Sequence, residues 1–597
     1  MTPAQAGFIA GGHDERGWDE TVAGALEALG TAFDVVPDRG GRPAAGRRTW
    51  LDTFDWRLHR AGLTLEYAGR PRGGELLLSG SVAQSASGIA GVGGNAANAA
   101  NAANAANSAS APSAASVRNP ANPPTPANPA DPAVISQPLI GWQAARPHLM
   151  CELPDGPVAS RIGDLVAPRA LLPVVTVSNA TTTHRLLNED GKTVARLLID
   201  RASIPGPHPA PLAPRLAITE VRGYAGDARA AARLLGAAPG VEPAATSTYT
   251  EALRAAGRRP GDYSNKVDTD ISAGRPASQA AATILLRLLD TIEANIPGVL
   301  ADTDTEFLHD LRVSVRRSRS ALKLFGDALT GRDGLTEDEA GRFAADLKWV
   351  GDLTTPTRDL DVHLLDFDDT ARSLSAAKPD DLEPFRVYLE QRRRREFRTL
   401  TRGLKSARFT GLTRDWRDRL TTIRDGNPGT RAAPARSGRT QQAAGETTGT
   451  LAMERTHGAF AKTVRRGAAI TPESPAETLH DLRKRAKELR YALEFFAPLH
   501  DRAAQAKVVG ELKRLQDCLG EFQDTEVQVG EIRALATAML AAGEAPAVTL
   551  LAMGEVTAGL ALRQRAARED FGRRFAAFAG IDGQRRISAL LRGKPGR

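Results

Sequence analysis

A segment that opens with His-Asp-Leu-Arg occurs twice in this chain, first at His309 and again at His480. Two copies of one structural unit are expected to adopt the same local structure, so the repeat constrains the fold strongly. With both copies on one register, cations align with cations: Arg312 with Arg483, Arg316 with Lys487 and Arg319 with Arg490. The segments predict a pair of equivalent basic helices.

The spacing of these cations places them on one face of a helix. At about 100° per residue, five positions of the first copy fall within roughly 80°, and they are His309, Arg312, Arg316, Arg319 and Lys323. An apolar stripe occupies the neighbouring arc in each copy: Leu308, Leu311, Val315, Leu322 and Phe325, and then Leu479, Leu482, Leu489, Leu493 and Phe496. Each i,i+4 pair of cations is unfavourable by a few tenths of a kcal/mol. A polyanion lying along the helix would offset that repulsion.

The repeat continues into a second segment. Lys348 aligns with Lys513, and Asp359 aligns with Asp524. A helical hairpin has therefore been duplicated. We expect two halves of one bundle related by a pseudo-two-fold axis, with the two basic helices facing one another.

The repeated His-Asp-Leu-Arg and the segment from Arg358 to Val362 are similar to motifs of the CHAD family, the conserved-histidine α-helical domains. The resemblance covers roughly residues 278–597. It implies an all-helical, internally duplicated bundle that binds inorganic polyphosphate. In the second copy Gln523 replaces the Arg and Glu526 replaces the second Asp of that segment, so the two halves are not expected to bind equally.

The expected polyphosphate site combines the repeat with this resemblance. Its residues are His309, Arg312, Arg316, Arg319, Lys323, Lys348, Arg358, His480, Arg483, Lys484, Lys487, Arg490 and Lys513. We expect binding without catalysis, and neither a metal nor another cofactor. The alternative is an internal ion-pair network, in which Asp359, Asp361, Asp524 and Glu526 neutralise Arg312, Arg316, Arg483 and Lys487. The two histidines, expected in the first turn of their helices, either donate to phosphate or merely cap and pack.

The residues before Arg258 have a different pattern. Short segments rich in β-branched residues predict strands near residues 49–55, 60–67, 181–188, 193–200 and 216–222, with a helix at 227–235. Leu51 to Leu63, together with Leu153 to Pro157, Arg169 to Pro173 and Ile218 to Arg222, resembles the CYTH family. That resemblance implies an antiparallel barrel of the triphosphate tunnel type, which binds triphosphate or polyphosphate in its lumen.

The Glu-x-Glu-x-Lys signature of catalytic CYTH members is missing from residues 1–18, which argues against hydrolysis. A metal-dependent triphosphate or polyphosphate hydrolase remains the enzymatic alternative. Its acidic candidates are isolated in sequence: Glu66, Glu75, Glu189 and Glu220. Four arginines either line a lumen or face solvent: Arg185, Arg196, Arg201 and Arg222.

The sequence thus predicts a multidomain α+β protein, an N-terminal antiparallel β-barrel followed by an all-α, internally duplicated helical bundle. The barrel domain spans residues 1–258, with a low-complexity insertion at 79–133. A linker follows at 259–277, and the helical domain at 278–597 contains a flexible linker at 425–449.

Composition narrows the partners. A formal net charge of +8 and a pI near 9.6 favour anions. A nucleic-acid-binding basic protein is the other alternative, and the sequence argues against it because only 5% of residues are aromatic and none interleaves with the basic stripe. The expected partner is inorganic polyphosphate, with polyphosphate granules as a further candidate and no membrane. Two cysteines, Cys151 and Cys518, imply no disulfide framework, and with no signal peptide or long apolar segment we expect a soluble cytoplasmic protein.

Overall fold

The computed structural model describes residues 6–12, 14–38, 42–70, 73–80, 134–206, 209–330, 334–426 and 446–592. The predicted low-complexity insertion and the linker between the two copies lie largely outside these residues. The chain divides into two compact units, with the division between Ser264 and Asn265. Each unit is described by itself.

The first unit is built on an antiparallel sheet, and its strands include those predicted from the sequence. Among the described residues the strands are β1 (Ala6–Ala10), β2 (Asp34–Pro37), β3 (Ala44–Asp52), β4 (Leu63–Arg70), β5 (Gly73–Gly80), β6 (Ile135–Leu139), β7 (Leu172–Leu187), β8 (Thr193–Ile204), β9 (Ala210–Pro211), β10 (Arg215–Glu220) and β11 (Val241–Pro243). Their order is β11-β1-β10-β8-β7-β3-β4-β5-β6, while β2 pairs with β7 and β9 pairs with β8.

The sheet is open, so the prediction of a closed barrel is wrong. Among the described strands β6 pairs with β5 alone and β11 pairs with β1 alone, which leaves them as the two edges. Both strands are short, and each contains a proline, Pro138 or Pro243. A proline has no N–H to donate to a neighbouring strand, and short, proline-containing strands are typical of sheet edges.

Among the described residues of this unit, five α-helices accompany the sheet: α1 (Glu15–Gly30), α2 (Arg57–Arg60), α3 (Pro157–Val166), α4 (Ala225–Ala237) and α5 (Thr248–Ala255). The buried carboxylate of Asp52 organises the turn into α2, because it accepts N–H bonds from Thr53, Leu58 and His59. Burial raises the pKa of Asp52 to about 6, although the three N–H groups oppose that shift. The Asp in the tunnel-like Leu51–Leu63 segment therefore serves the fold of the turn.

The second unit is helical, as predicted. Its helices among the described residues are α6 (Ala277–Leu300), α7 (Thr305–Phe325), α8 (Glu337–Leu365), α9 (Phe367–Arg372), α10 (Glu383–Leu404), α11 (Ala407–Arg424), α12 (Thr448–Ala468), α13 (Ala476–Phe495), α14 (Arg502–Ala541), α15 (Ala547–Ala579) and α16 (Ile581–Arg592). The two basic segments form α7 and α13. The repeated second segments lie on α8 and α14.

The duplication is visible as a pseudo-two-fold axis, and residues on such an axis contact their own counterparts. Phe325 packs edge-on against its counterpart Phe496, with 5.5 Å between ring centroids. Pro276 forms an antiparallel bridge with its counterpart Thr447. The bridge is flanked by reciprocal bonds, from Ala277 N–H to the Glu446 carbonyl at 3.0 Å and from Thr448 N–H to the Arg275 carbonyl at 2.8 Å. The repeat therefore also includes α6 and α12, which the sequence comparison missed.

The predicted apolar stripes are the buried faces of α7 and α13. All five positions of the second copy are buried, from Leu479 to Phe496. In the first copy Leu322 is half-buried and the other four are buried. Burial of the neighbouring stripe orients the cationic face of each helix toward the helix–helix boundary or toward solvent.

Candidate functional site

The two basic helices face one another across the pseudo-two-fold axis. Arg317 of α7 pairs with Glu494 of α13 at 3.1 Å, and Lys323 of α7 pairs with Glu488 of α13 at 2.8 Å. On the register of the repeat, Arg317 is the counterpart of Glu488 and Lys323 is the counterpart of Glu494. Exchange of the two copies therefore converts one ion pair into the other. These reciprocal pairs hold the basic faces of α7 and α13 side by side.

Arg312 is held against α8 by neutral acceptors. Its Nη1 donates to Thr355 Oγ1 at 2.8 Å and to Thr354 Oγ1 at 3.1 Å. No described carboxylate lies within ion-pair distance of it. Burial lowers the pKa of Arg312 to about 10; Asp359 opposes that shift, while Arg316 and Arg358 add to it. The guanidinium is thus half-buried and retains charge that no carboxylate contacts directly.

Arg316 and Lys487 are counterparts that contribute charge from opposite helices. Exposed Arg316 donates through Nε to Tyr491 Oη at 2.9 Å, and this is its only bond to a described side chain. Lys487 makes no hydrogen bond or ion pair with a described residue. Burial is the largest cause that lowers the pKa of Lys487 to about 8, and the nearby Arg483 and Arg316 lower it further. Asp524 opposes this shift only in part. The site therefore contains unneutralised positive charge.

Arg319 and its counterpart Arg490 differ in their surroundings. Arg490 donates to Glu494 at 2.7 Å and to Gln516 at 3.4 Å. In the first copy Gly351 stands where the second has Gln516, and a Cβ at Gly351 would lie 3.6 Å from Arg319 Nη1. Arg319 is exposed and makes no hydrogen bond or ion pair within the described part of the chain. We call Arg312, Arg316, Arg319 and Lys487 the central cations.

The ion-pair network that was the alternative interpretation forms only in part. Arg483 pairs with Asp524 at 2.9 Å and donates to Gln523 at 2.8 Å. The buried Asp361 pairs with Arg393 of α10, at 2.5 Å, and not with a cation of α7. Arg312, Arg316 and Lys487, the other three cations assigned to that network, have no carboxylate of the described residues within ion-pair distance. The acids thus neutralise the second copy more than the first.

The other predicted site residues divide into structural and exposed groups. Buried Arg358 donates to the Thr305 carbonyl at 3.3 Å and lies 3.7 Å from Glu306, so it ties α8 to the start of α7. The exposed lysines have acidic partners: Lys323 pairs with Glu488 of α13, while Lys348 and Lys484 pair within their own helices with Asp352 and Asp481. Lys513 is half-buried and acts on Asp517 electrostatically.

His309 and His480 occupy equivalent positions in α7 and α13. Both are half-buried, and each is the fifth residue of its helix, just beyond the predicted first turn. The free N–H groups of a helix belong to its first four residues. At α7 the cap residue Asp304 already accepts from the backbone of Glu306 and Phe307. The helix N-terminus therefore offers less to an anion at His309 than the sequence suggested.

Sequence reasoning missed Tyr491, Thr354 and Thr355, which orient the central cations. No pattern identified them, because each contacts a helix that is distant in sequence. Arg317 and Glu494 were also missed. The repeat contained a usable signal for them, because Glu488 stands at the position equivalent to Arg317 and Glu494 at the position equivalent to Lys323.

The difference between Arg319 and Arg490 leads to a testable prediction. Arg319→Gln should lower affinity for a polyanion about tenfold or more, since a charge-assisted bond contributes roughly 1.5–3 kcal/mol. Arg490→Gln should lower it less than about threefold, because Glu494 and Gln516 already engage that arginine. Gly351→Gln, which reproduces the second-copy arrangement, should also weaken binding. Equal losses for the two arginine variants in a titration would contradict the asymmetry.

The acidic residues proposed for a metal site in the first unit do not come together as one. Glu66 accepts two bonds from Arg48, at 2.6 and 2.8 Å, so both of its oxygens have a partner. Arg185 and Arg196 lie directly opposite each other on β7 and β8. Within the described residues no group of three or more His, Cys, Asp or Glu is placed to hold a metal ion.

Comparison with protein families identifies the helical unit. Residues 283–533 match the model of the CHAD domain. The chain contains a CHAD domain. The match includes α7, α8, α13 and most of α14, and hence the central cations. No curated protein matches the chain.

Several solved structures are similar to parts of the chain. The CHAD domain from the plant Ricinus communis is 24% identical, with a TM-score of 0.41 over 51% of this chain and 96% of its own. PptA from Streptomyces chartreusis is 17% identical, with a TM-score of 0.37 over 50% of this chain and 99% of its own. A candidate adenylate cyclase from Bacillus halodurans is 13% identical, with a TM-score of 0.21 over 45% of this chain and 96% of its own. Among the described helices, none has the length and apolar character needed to span a bilayer.

Proposed function

We propose that the CHAD domain binds inorganic polyphosphate between α7 and α13, without catalysis. The family association supports this ligand. The observation that carries the proposal is the set of central cations, which come from both copies and contact no described carboxylate. Burial, and after it repulsion by neighbouring cations, lowers the pKa values of Arg312 and Lys487. A bound polyanion removes that repulsion.

The chemistry of the site fits a flexible linear chain of phosphates. Arg316 and Arg319 are exposed, and each has guanidinium N–H groups that can bind two phosphate oxygens at once. Lys487 adds a compact charge from the opposite helix. Thr354 and Thr355 fix the guanidinium of Arg312 at one end of the central cations. Among the predicted residues, Arg483 and Arg490 are secondary contacts and Arg358 supports the fold.

Direct binding tests the proposal. Long-chain polyphosphate is titrated into the full chain at several salt concentrations, and phosphate release is followed in the same samples. We expect tight binding that weakens steeply with salt. The logarithm of the association constant should fall by about 0.7 per unit of the logarithm of salt concentration for each phosphate neutralised. Absence of binding would overturn the proposal, and phosphate release that depends on added divalent metal would favour the hydrolase alternative. The proposal also places the protein in the cytoplasm, with polyphosphate granules as a candidate partner.

The lowered pKa of Lys487 predicts how binding depends on pH. A phosphate chain favours the charged amine, so binding raises this pKa again and takes up a proton near pH 8. Affinity should therefore be highest below about pH 7, where Lys487 is charged in the free protein, and fall roughly tenfold as the pH rises through 8 toward 10. Lys487→Arg should abolish this dependence, because arginine stays charged in that range. Titrations in buffers of different ionisation enthalpy measure the proton uptake, and a pH-independent affinity of the unsubstituted protein would contradict the prediction.

A further inference from the structure

The exposed face of α10 carries a second line of arginines. Within the basic segment 392–395, two members are already paired: Arg393 with Asp302 and Asp361, and Arg394 with Glu390. The other two belong to a different set, whose members are Arg392, Arg395, Arg398 and Arg402. We call these four the α10 arginine face.

Helical spacing aligns the α10 arginine face along one side of the helix. The steps of three, three and four residues keep the four side chains within about 120° over about 15 Å. All four are exposed, and none has a described carboxylate within ion-pair distance. Within the described part of the chain, the side chains of this set donate only locally, from Arg402 to the Arg398 carbonyl and to Thr399. The face is therefore both continuous and unneutralised.

The neighbouring helix shows that this arrangement is not general in the domain. On α11 the arginines have acidic partners: Arg408 with Asp346, Arg417 with Asp290 and Glu293, Arg419 with Glu339, and Arg424 with Asp425. Like charges three or four residues apart destabilise a helix by a few tenths of a kcal/mol per pair. The α10 arginine face retains that repulsion, and an external polyanion would remove it.

The face is separate from the central cations. Helix α8 contacts α7 through Gly351 and Thr355, whereas α10 packs on α8 through Leu353 and Leu360. Those two pairs of positions lie on opposite sides of α8. A polyanion on the α10 arginine face would thus occupy a different surface of the same domain.

We propose that the α10 arginine face is a second binding surface for polyphosphate, engaged by a further stretch of a long chain already held at the central cations. The inference rests on the proposed function. Between Arg392 and Arg402 the face has no aromatic side chain for base stacking, since Phe397 lies beneath Arg393 on another side. A long chain held at the central cations is present at a high effective concentration near the α10 arginine face, so the two contacts together raise its affinity. A short chain fills only the central site, so the second surface selects for chain length.

The test compares two ligands and two matched variants of the full chain. The first variant replaces Arg392, Arg395, Arg398 and Arg402 by Gln, a good helix former. The control replaces four exposed cations elsewhere in the helical unit by Gln: Lys462, Arg465, Arg466 and Lys507. Both lose the same charge, so a general electrostatic effect is shared. Each is titrated with long-chain polyphosphate and with tripolyphosphate over a salt series, and circular dichroism checks the helix content.

We expect the first variant to lose about tenfold or more in affinity for the long chain, with a salt slope less steep by about two to three. Its affinity for tripolyphosphate should stay within about twofold of the unsubstituted protein. An unchanged long-chain affinity, or an equal loss in the control, overturns the second surface and leaves the central site intact. If the unsubstituted protein binds neither ligand, the proposed function itself fails.

Discussion

Replacement of Arg316 and Lys487 together by Glu is expected to weaken polyphosphate binding about 100-fold, or roughly 3 kcal/mol. The two cations are counterparts on facing helices, and neither contacts a described carboxylate. Reversal of both therefore removes the excess positive charge of the cluster and places two carboxylates where a polyanion would lie. The variant should stay folded, because new carboxylates beside Arg312 and Arg483 form favourable pairs. Titration of the full chain, with thermal unfolding in parallel, measures both effects.

A matched control separates this local effect from net charge. Arg465→Glu with Arg466→Glu makes the same change of charge on exposed positions of α12, outside the two basic helices. We expect that control to retain affinity within about threefold at moderate salt, where distant charges are screened. Loss of folding in the Arg316 and Lys487 variant would instead indicate that these residues belong to an internal network.

Glu494→Ala is expected to lower the free energy of unfolding by about 2–3 kcal/mol. This half-buried carboxylate joins the two copies, because it pairs with Arg317 of α7 at 3.1 Å and with Arg490 of α13 at 2.7 Å. Burial alone would raise its pKa, but the two guanidinium groups lower it below the ordinary value. Its contribution is therefore present above about pH 4.5 and is lost as the pH falls through the lowered pKa. Scanning calorimetry of the full chain measures the loss.

The pseudo-two-fold axis supplies the control for this prediction. Glu488→Ala removes the reciprocal carboxylate, whose partner Lys323 has a side chain that is 71% exposed. A surface pair of this kind contributes less than about 1 kcal/mol. Glu494→Ala should also release Arg490 and so leave polyphosphate binding intact or tighter. Equal destabilisation by the two variants would show that burial does not distinguish the reciprocal pairs.

Local periodicity allowed part of this site to be predicted. Helical spacing alone identified the apolar faces of α7 and α13, from Leu308 to Phe325 and from Leu479 to Phe496, because the positions that share a helix face depend only on geometry within the helix. The same reasoning placed Arg312, Arg316 and Arg319 beside that face. The repeat then predicted that two such helices are equivalent, and the Phe325–Phe496 contact on the axis confirms it.

Partners across helices were not predictable in the same way. The ion-pair alternative placed Asp361 against the basic cations, yet Asp361 pairs with Arg393 of α10. Such pairing depends on the rotation and axial position of each helix, which the packing of the whole bundle determines. The openness of the sheet was not predictable for the same reason, since it also depends on the tertiary arrangement. Five of the described strands, β3, β4, β7, β8 and β10, were evident from alternation and turn residues, but closure depends on whether β6 and β11 meet.

The sequence by itself determined the two classes of structure, the duplication and the identity of the cationic positions, since these follow from local spacing and from comparison of the chain with itself. Only the tertiary structure decided which charges remain unneutralised. Arg319 lies beside Gly351, whereas its counterpart Arg490 meets Gln516 and Glu494. Equivalent positions in a duplicated sequence thus acquire different electrostatic environments, because each environment is set by neighbours that packing, and not sequence proximity, brings together.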